Sequence, residues 1–469
     1  MRKLRVVSLV LASLAGGALA LASRPDAVAR ADSSPVTIAV ERSQLPNGLE
    51  VILHEDHRTP IVTVNLWYHV GSKDEPAGKN GFAHLFEHVM FQGSKHVPED
   101  TYFRDLERAG AADVNGTTSE DRTNYYETVP ANRLELALWL ESDRMGFLLD
   151  HVDQLTFAGQ RDVVKNERRQ TYENAPYGMV YQYMRSALYP PEHPYHNLTI
   201  GTPGDLDAAT LDDVKAFFRT WYVPNNATLV VAGDIDKRTA LELTSKYFGP
   251  IPKGTLPDRA AQTHPQPVTL PGAKRVDVAA GVELARVYVA WPTPPALTPD
   301  DGYLDLVAHV LAGGKTSRLY KRLVYDMQIA QDVSAHQASR QLGSEFEIVA
   351  TAQPHHTPEE LLRAIDEELA TLRAEGVHEA ELSRAQTSSV SGILNELERD
   401  GSRANMINMY NQLAGDPGFL PKDLARYQTA TSAQVGEAAR RWLPADRRVV
   451  LVVTPTPGAP ISGEMRGQR

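Results

Sequence analysis

A chain of 469 residues is too long for one ordinary hydrophobic core and fits two domains of roughly 200 residues each. At 42% hydrophobic and 23% charged residues it reads as globular, not as a disordered, coiled-coil or multi-span membrane chain. The lack of cysteine excludes disulfides, a lipid-modified amino-terminal Cys, a thiol nucleophile and thiolate metal ligands, so any metal must be held by His and carboxylates. Setting aside residues 1–31, with five Lys/Arg and one Asp, takes the net charge from −11 to −15, a surface that repels nucleic acid and mildly favours basic peptides.

Arg2, Lys3 and Arg5 precede an apolar stretch over 6–22 and then small residues, the pattern of a signal peptide over 1–31. Cleavage is expected after Ala29-Arg30-Ala31 or Ala20-Leu21-Ala22, and the destination is the periplasm or another exported location. An uncleaved anchor is the alternative, and it changes tethering, not catalysis. Residues 37–44 and 49–54 then flank Pro46-Asn47-Gly48, where Asn-Gly tolerates the positive φ of a tight hairpin turn. A third strand over 61–70 alternates Val62, Val64, Leu66 and Tyr68 on one side, the period of a sheet with one face on a core. From 81 to 91 the apolar residues Phe82, Leu85, Phe86, Val89 and Met90 recur at three and four, which predicts a mostly buried helix.

Six prolines between Pro250 and Pro271 mark a linker over 250–275. It separates a domain over 32–249 from one over 276–456, with 457–469 expected as a flexible tail. Residues 210–221 (TLDDVKAFFRTW) resemble 431–442 (TSAQVGEAARRW), and each is followed by Pro and a Val-rich strand, at 227–232 and 449–453. The offset of 221 residues also sets Asp305, Ala308 and His309 opposite His84, Glu87 and His88, and Gly314 opposite Gly93. One register from independent segments predicts a duplicated domain whose second copy has lost the base and one ligand.

The chemistry sits on the first of these helices. His84 and His88, four residues apart, stack on one helical face and can aim imidazoles at one ion, with Glu87 beside them. A catalytic zinc needs three protein ligands and an open position for water, and a carboxylate that is not a ligand must take the proton. Glu87 is placed for that role. The third ligand must come from elsewhere, and in the helical-looking, mixed-charge segment 161–169 spacing alone does not choose Glu167 over Asp162 or Glu173.

Several segments resemble the pitrilysin and insulysin family of zinc peptidases, in particular half-length members similar to the β subunit of mitochondrial processing peptidase. They are LPNGLEVILHEDHRTPIVTVNLWYHVGSKDE, NGFAHLFEHVMFQGSK, DVNGTTSEDRTNYYETVP, RDVVKNE, HPYHNLTIGTPGDL and WYVPNNATLVVAGD, with GGKTSRLYKRL in the second half. The resemblance implies an α+β fold of two similar domains, each a mainly antiparallel sheet flanked by helices, and a zinc metalloendopeptidase with one Zn2+ per chain. It implies His84, His88 and Glu167 as ligands and Glu87 as the base. It also implies that peptide substrates, short or unfolded, add as a strand to a sheet edge around Asn115 to Thr118, so that backbone pairing supplies affinity. A non-catalytic peptide-binding or scaffold subunit is the alternative reading.

Two departures from the family stand out. Seven residues before the third ligand the family commonly has a second glutamate where this chain has Gln160, which can still hold a ligand by hydrogen bonding but removes a negative charge beside the metal. After Ser317-Arg318-Leu319, where many active members carry an Arg and a Tyr that touch substrate, this chain has Val324 and Gln331. Either a second family subunit supplies that pair, or Arg322 or Tyr325 substitutes and the chain works alone or as a homodimer.

Overall fold

The computed structural model describes residues 36–99, 101–259 and 268–468. The expected signal peptide and the middle of the proline-rich linker lie outside the described residues. The hairpin forms as β1 (Glu41–Gln44) and β2 (Glu50–Glu55), paired antiparallel, and of the Asn-Gly turn only Gly48 takes a positive φ, at 90°. With β3 (Ile61–Tyr68), β4 (Ala112–Thr118), β5 (Thr123–Pro130) and β6 (Ala227–Gly233) they make a six-stranded sheet in the order β1-β2-β6-β3-β5-β4, in which only β2 and β6 run parallel.

The second half repeats this arrangement strand for strand. β7 (Lys274–Ala280), β8 (Arg286–Thr293), β9 (Ala330–Ala338), β10 (Ser344–Ala352), β11 (Val449–Pro455) and β12 (Glu464–Gln468) form a sheet in the order β12-β7-β11-β8-β10-β9, again with one parallel pair, β7 and β11. The chain is thus α+β, with two mostly antiparallel sheets flanked by helices. The compared helices are Leu211–Trp221 and Ser432–Trp442, each opened by a capping box on its Thr, Thr210 or Thr431. Gly93 and Gly314 share a positive φ, 112° and 121°.

Two expectations need correction. The tail over 457–469 is not wholly flexible: 464–468 is the edge strand β12, paired with β7, and the carbonyls of Ile461 and Ser462 accept from the amides of Tyr177 and Met179. EMRGQ has no apolar alternation, so only its ladder partners reveal it. β3 also differs, being buried on both faces and not on one.

The reason is an exchange of helices between the halves. Val180–Leu188 from the first half lies on the second sheet, with Val180, Met184 and Leu188 packed among Val276, Val278 and Leu451. Asp400–Ala414 from the second half lies across β3, β5 and β6, with Ala404, Ile407 and Tyr410 packed among Ile52, Val230 and Ala232. The Asn408 amide donates to the Asn65 carbonyl of β3 at 3.0 Å. The β4–β5 turn is fixed in the same way: Asp121 accepts from the Gln341 amide (2.9 Å) and the Tyr195 hydroxyl (2.6 Å), and Glu120 pairs with Arg185 and Arg340. The turn that ends the edge strand β4 is therefore tied to the second half through Gln341 and Arg340.

Candidate metal centre

The helix Phe82–Val89 buries Phe82, Leu85, Phe86 and Val89 and turns His84, Glu87 and His88 toward β4 and a neighbouring helix. Phe86 is clasped by the rings of Phe217, Phe218 and Tyr222, at centroid distances of 5.6, 6.0 and 5.0 Å, which fixes the helix's rotation. Its amino terminus has no side-chain cap of its own. Instead the buried Glu75 carboxylate accepts from the amides of Gly81 (3.0 Å) and Ala83 (2.8 Å), satisfying donors the helix leaves open. Burial pushes the Glu75 carboxyl up to about 8.

The partner helix, Gln154–Arg168, carries Glu167 on its last turn and is capped by Asp153. Beyond it the backbone widens into a π turn over Arg169–Glu173, and Arg168 holds that turn by donating to Glu173 and to the Gly201 carbonyl. Of the three acids left open by spacing, Asp162 is exposed to solvent and Glu173 is engaged by Arg168, while Glu167 meets the histidines. His84, His88 and Glu167 present donor atoms within 4.8 Å of one another. Glu167 Oε2 lies 3.7 Å from His84 Nε2 and 3.2 Å from His88 Nε2.

These distances test whether the residues fit zinc. Tetrahedral ligation at about 2.0–2.1 Å puts neighbouring donors roughly 3.3 Å apart, inside the observed range. Glu167 Oε2 is buried and accepts no hydrogen bond, an acceptor that a cation would satisfy. Burial, reinforced by the nearby His88, drives the His84 imidazole down to about 4, so it stays neutral with a free lone pair. Contact with His88 holds the Glu167 carboxyl below its usual range, which keeps it anionic. Two imidazoles and a carboxylate are a catalytic zinc donor set.

Glu87 stands beside this group. Its Oε2 accepts from the Thr118 hydroxyl at 2.7 Å, and burial raises its carboxyl above the usual range. Gly116 is what allows β4 and Glu87 to meet, because a Cβ there would lie 3.1 Å from Glu87 Cγ and 3.0 Å from the Phe91 ring. Neither Gly116 nor Thr118 was singled out by sequence reasoning. The two-residue alternation of β4 could have shown that both share the face turned to the helix.

The remaining candidates are more scattered. Gln160 is half-buried on the Glu167 helix, seven residues earlier, and its amide makes no hydrogen bond to a described residue. Asn115 is exposed on β4, the last strand of its sheet, but faces away from the metal group. In the second half Val324 packs against the core, Gln331 is exposed on β9, Arg322 pairs with Glu367 and Glu368, and Tyr325 is 74% exposed. At the positions the 221-residue offset matches to the metal helix, Asp305 accepts from the Tyr427 hydroxyl and His309 lines a small cleft with Ser388.

Residues 50–199 match the description Insulinase (Peptidase family M16), and residues 208–389 match Peptidase M16 inactive domain. Similar proteins include the zinc protease PqqE of Helicobacter pylori, 30% identical over 373 residues that cover 79% of this chain and 83% of the relative. An uncharacterized zinc protease of Bacillus subtilis is 22% identical over 415 residues, 88% of this chain and 98% of the relative. Among solved structures, a protease from Helicobacter pylori superposes with a TM-score of 0.83 at 27% identity, over 90% of this chain and all (100%) of that one. The first half of the periplasmic protease PqqL from Escherichia coli gives a TM-score of 0.73 at 18% identity, over 90% and 93% of the two chains, and shares the fold. The inactive-domain match runs from the end of the first half through the segment where Asp305, Ala308 and His309 stand in place of the His84, Glu87 and His88 set, and with a 30% identical relative aligned over most of its length the chain belongs to the insulinase family of peptidases, family M16.

Proposed function

We propose that this chain is a zinc-dependent metalloendopeptidase that hydrolyses short or unfolded peptides. The observation that carries the reading is the convergence of His84, His88 and Glu167 on one point with Glu87 alongside. His84, His88 and Glu167 would hold a single zinc ion. When bound, that ion supplies Lewis acidity toward a scissile carbonyl and acidifies water toward neutrality. Glu87, made more basic by burial, takes the proton of the attacking water at its carboxylate and passes it to the leaving amine, while Thr118 fixes the orientation of Oε2. The outer edge of β4 offers backbone donors and acceptors to an extended substrate, so that main-chain pairing supplies affinity whatever the side chains.

The leader pattern and the periplasmic relative support an exported, periplasmic enzyme. Arg322 is committed to Glu367 and Glu368 while Tyr325 is free at the surface, so a missing cationic contact would come from a second subunit, either another family member or a copy of this chain. The test is zinc content together with cleavage of a quenched-fluorescent peptide library by wild type and Glu87→Gln. Expected is about one zinc per chain in both proteins and a loss of hydrolysis of roughly 10²–10⁴-fold in the variant. Hydrolysis that survives in Glu87→Gln refutes the role of Glu87, and a wild type active only with a co-purified partner identifies a split site.

A further inference from the structure

Helix Asp400–Ala414 does not reach the outermost strand of the first sheet. Between its flank and β4 lies a cavity of about 650 Å3, with Asn115, Thr117 and Tyr126 as floor and Asn405, Met406 and Met409 as wall. It opens on the face of β4 opposite the metal group. Gly116 abuts Glu87 and Phe91, so its strand neighbours Asn115 and Thr117 point the other way.

β4 ends its sheet, and no strand of the described residues pairs with its outer edge. A peptide extended along that edge continues the pleat, because directly opposed residues of adjacent strands share a face. Its residues opposite Gly116 and Thr118 face the metal group, and the alternate ones face the cavity. A peptide whose reacting residue lies by Glu87 therefore turns the side chain next along the chain into the cavity. Another side chain follows it two residues on, about 7 Å away.

The charges around the cavity narrow the occupant. Arg122 donates to the Thr117 carbonyl at 2.8 Å and lies over the Trp67 ring, Arg399 pairs with Glu396, and Asp113 stands exposed at the rim. Beside the Arg122 guanidinium, whose hydrogen bonds go to Thr117, the interior offers amide, hydroxyl and thioether groups, and burying an unpaired cation among them is costly. A side chain with an apolar body and an uncharged polar end, such as Tyr or Gln, matches both the Met wall and the Asn and Thr floor.

We infer that this cavity is a specificity pocket for the substrate residue adjacent to the reacting one, selecting large uncharged side chains, and that the second half supplies its wall. The inference rests on the peptidase reading above. Asn405 is exposed on the helix, so Asn405→Trp narrows the cavity without touching the core. Two measurements apply: kcat/KM on peptides carrying Tyr, Gln, Ala or Lys at the adjacent position, and fluorescence anisotropy of the same peptides bound to Glu87→Gln protein with and without Asn405→Trp.

Wild type is expected to prefer Tyr and Gln over Ala and Lys, and Asn405→Trp to collapse the Tyr-to-Ala ratio by about tenfold or more, with Asn405→Phe in between. Hydrolysis with no residue preference, or a preference unmoved by Asn405→Trp, overturns the pocket while the peptidase reading stands. Residue-selective binding without hydrolysis keeps the pocket and overturns the peptidase reading. Neither binding nor hydrolysis overturns both.

Discussion

Gly116 leaves no room for a side chain beside Glu87, and Gly116→Ala tests whether that fit matters. The added Cβ would stand 3.1 Å from Glu87 Cγ, 3.0 Å from Phe91 Cε2 and 3.1 Å from Tyr125 Cδ1. Carbon atoms pack best at about 3.5–4.0 Å, so something must yield by roughly half an ångström. The rings are poorly placed to move: Tyr125 is fully buried and Phe91 is edge-packed against both Tyr102 and Tyr125. Glu87 is held by one hydrogen bond from Thr118 and gives way first. A misplacement of 1 Å costs about 10²-fold, so half of that costs about tenfold in kcat. His84, His88 and Glu167 are not among the groups the new methyl meets, so zinc stoichiometry should be unchanged. Steady-state kinetics with a quenched peptide and metal analysis on one preparation read both quantities. Unchanged kcat, or loss of metal, refutes the reasoning.

Three further outcomes follow from the geometry. Glu167→Ala removes one of three donors and should weaken zinc binding by more than roughly a hundredfold, read by chelator competition; unaltered affinity places the third ligand elsewhere. Glu75 has its carboxyl raised from 4.5 to about 8 by burial, so the folded state grips that proton more tightly than the unfolded chain. Its stabilising contribution is full below about pH 4.5 and is lost as pH rises through 8, on the order of 5 kcal/mol in all. Denaturation of wild type and Glu75→Gln from pH 5 to 8.5 should show the variant gaining on wild type as pH rises, and parallel pH profiles would count against the assignment. Phe86→Ala empties the cage of Phe217, Phe218 and Tyr222 and should cost about 3–5 kcal/mol by urea denaturation, with a loss below 1 kcal/mol showing that the cage is not what sets the helix.

Local signals in the sequence carried far. The Asn-Gly turn, the change from a two-residue to a three-and-four period ahead of the metal helix, and the Thr caps at 210 and 431 all depend on neighbours within one or two turns. The repeat at 221 residues was legible because the same caps and the same left-handed glycines recur in it. Glu167 was not legible from spacing, since its distance from His84 is set by helix packing and not by any period; the family resemblance had to select it. β12 escaped because an edge strand of charged residues needs only a backbone partner. The two-sided burial of β3 escaped because the covering helix comes from more than 330 residues along the chain.

That exchange of helices explains why a half without a metal set of its own is kept. Ile52, Val230 and Ala232 lie on the face of the first sheet turned from the metal helix, and Ala404, Ile407 and Tyr410 of the second half cover them. Without that helix a sheet face of β-branched residues would meet water, a surface of the kind that drives aggregation. The second half returns the dependence, since Val276, Val278 and Leu451 are covered by Val180–Leu188 of the first. Neither sheet is covered on both faces by its own half. The second copy was therefore free to lose one ligand and the carboxylate beside the metal, as Asp305 and Ala308 show, but not its helices. Selection on folding alone preserves the wall beside β4, and a side chain such as Asn405 on that wall is then available to be tuned for substrate choice at little cost to the core.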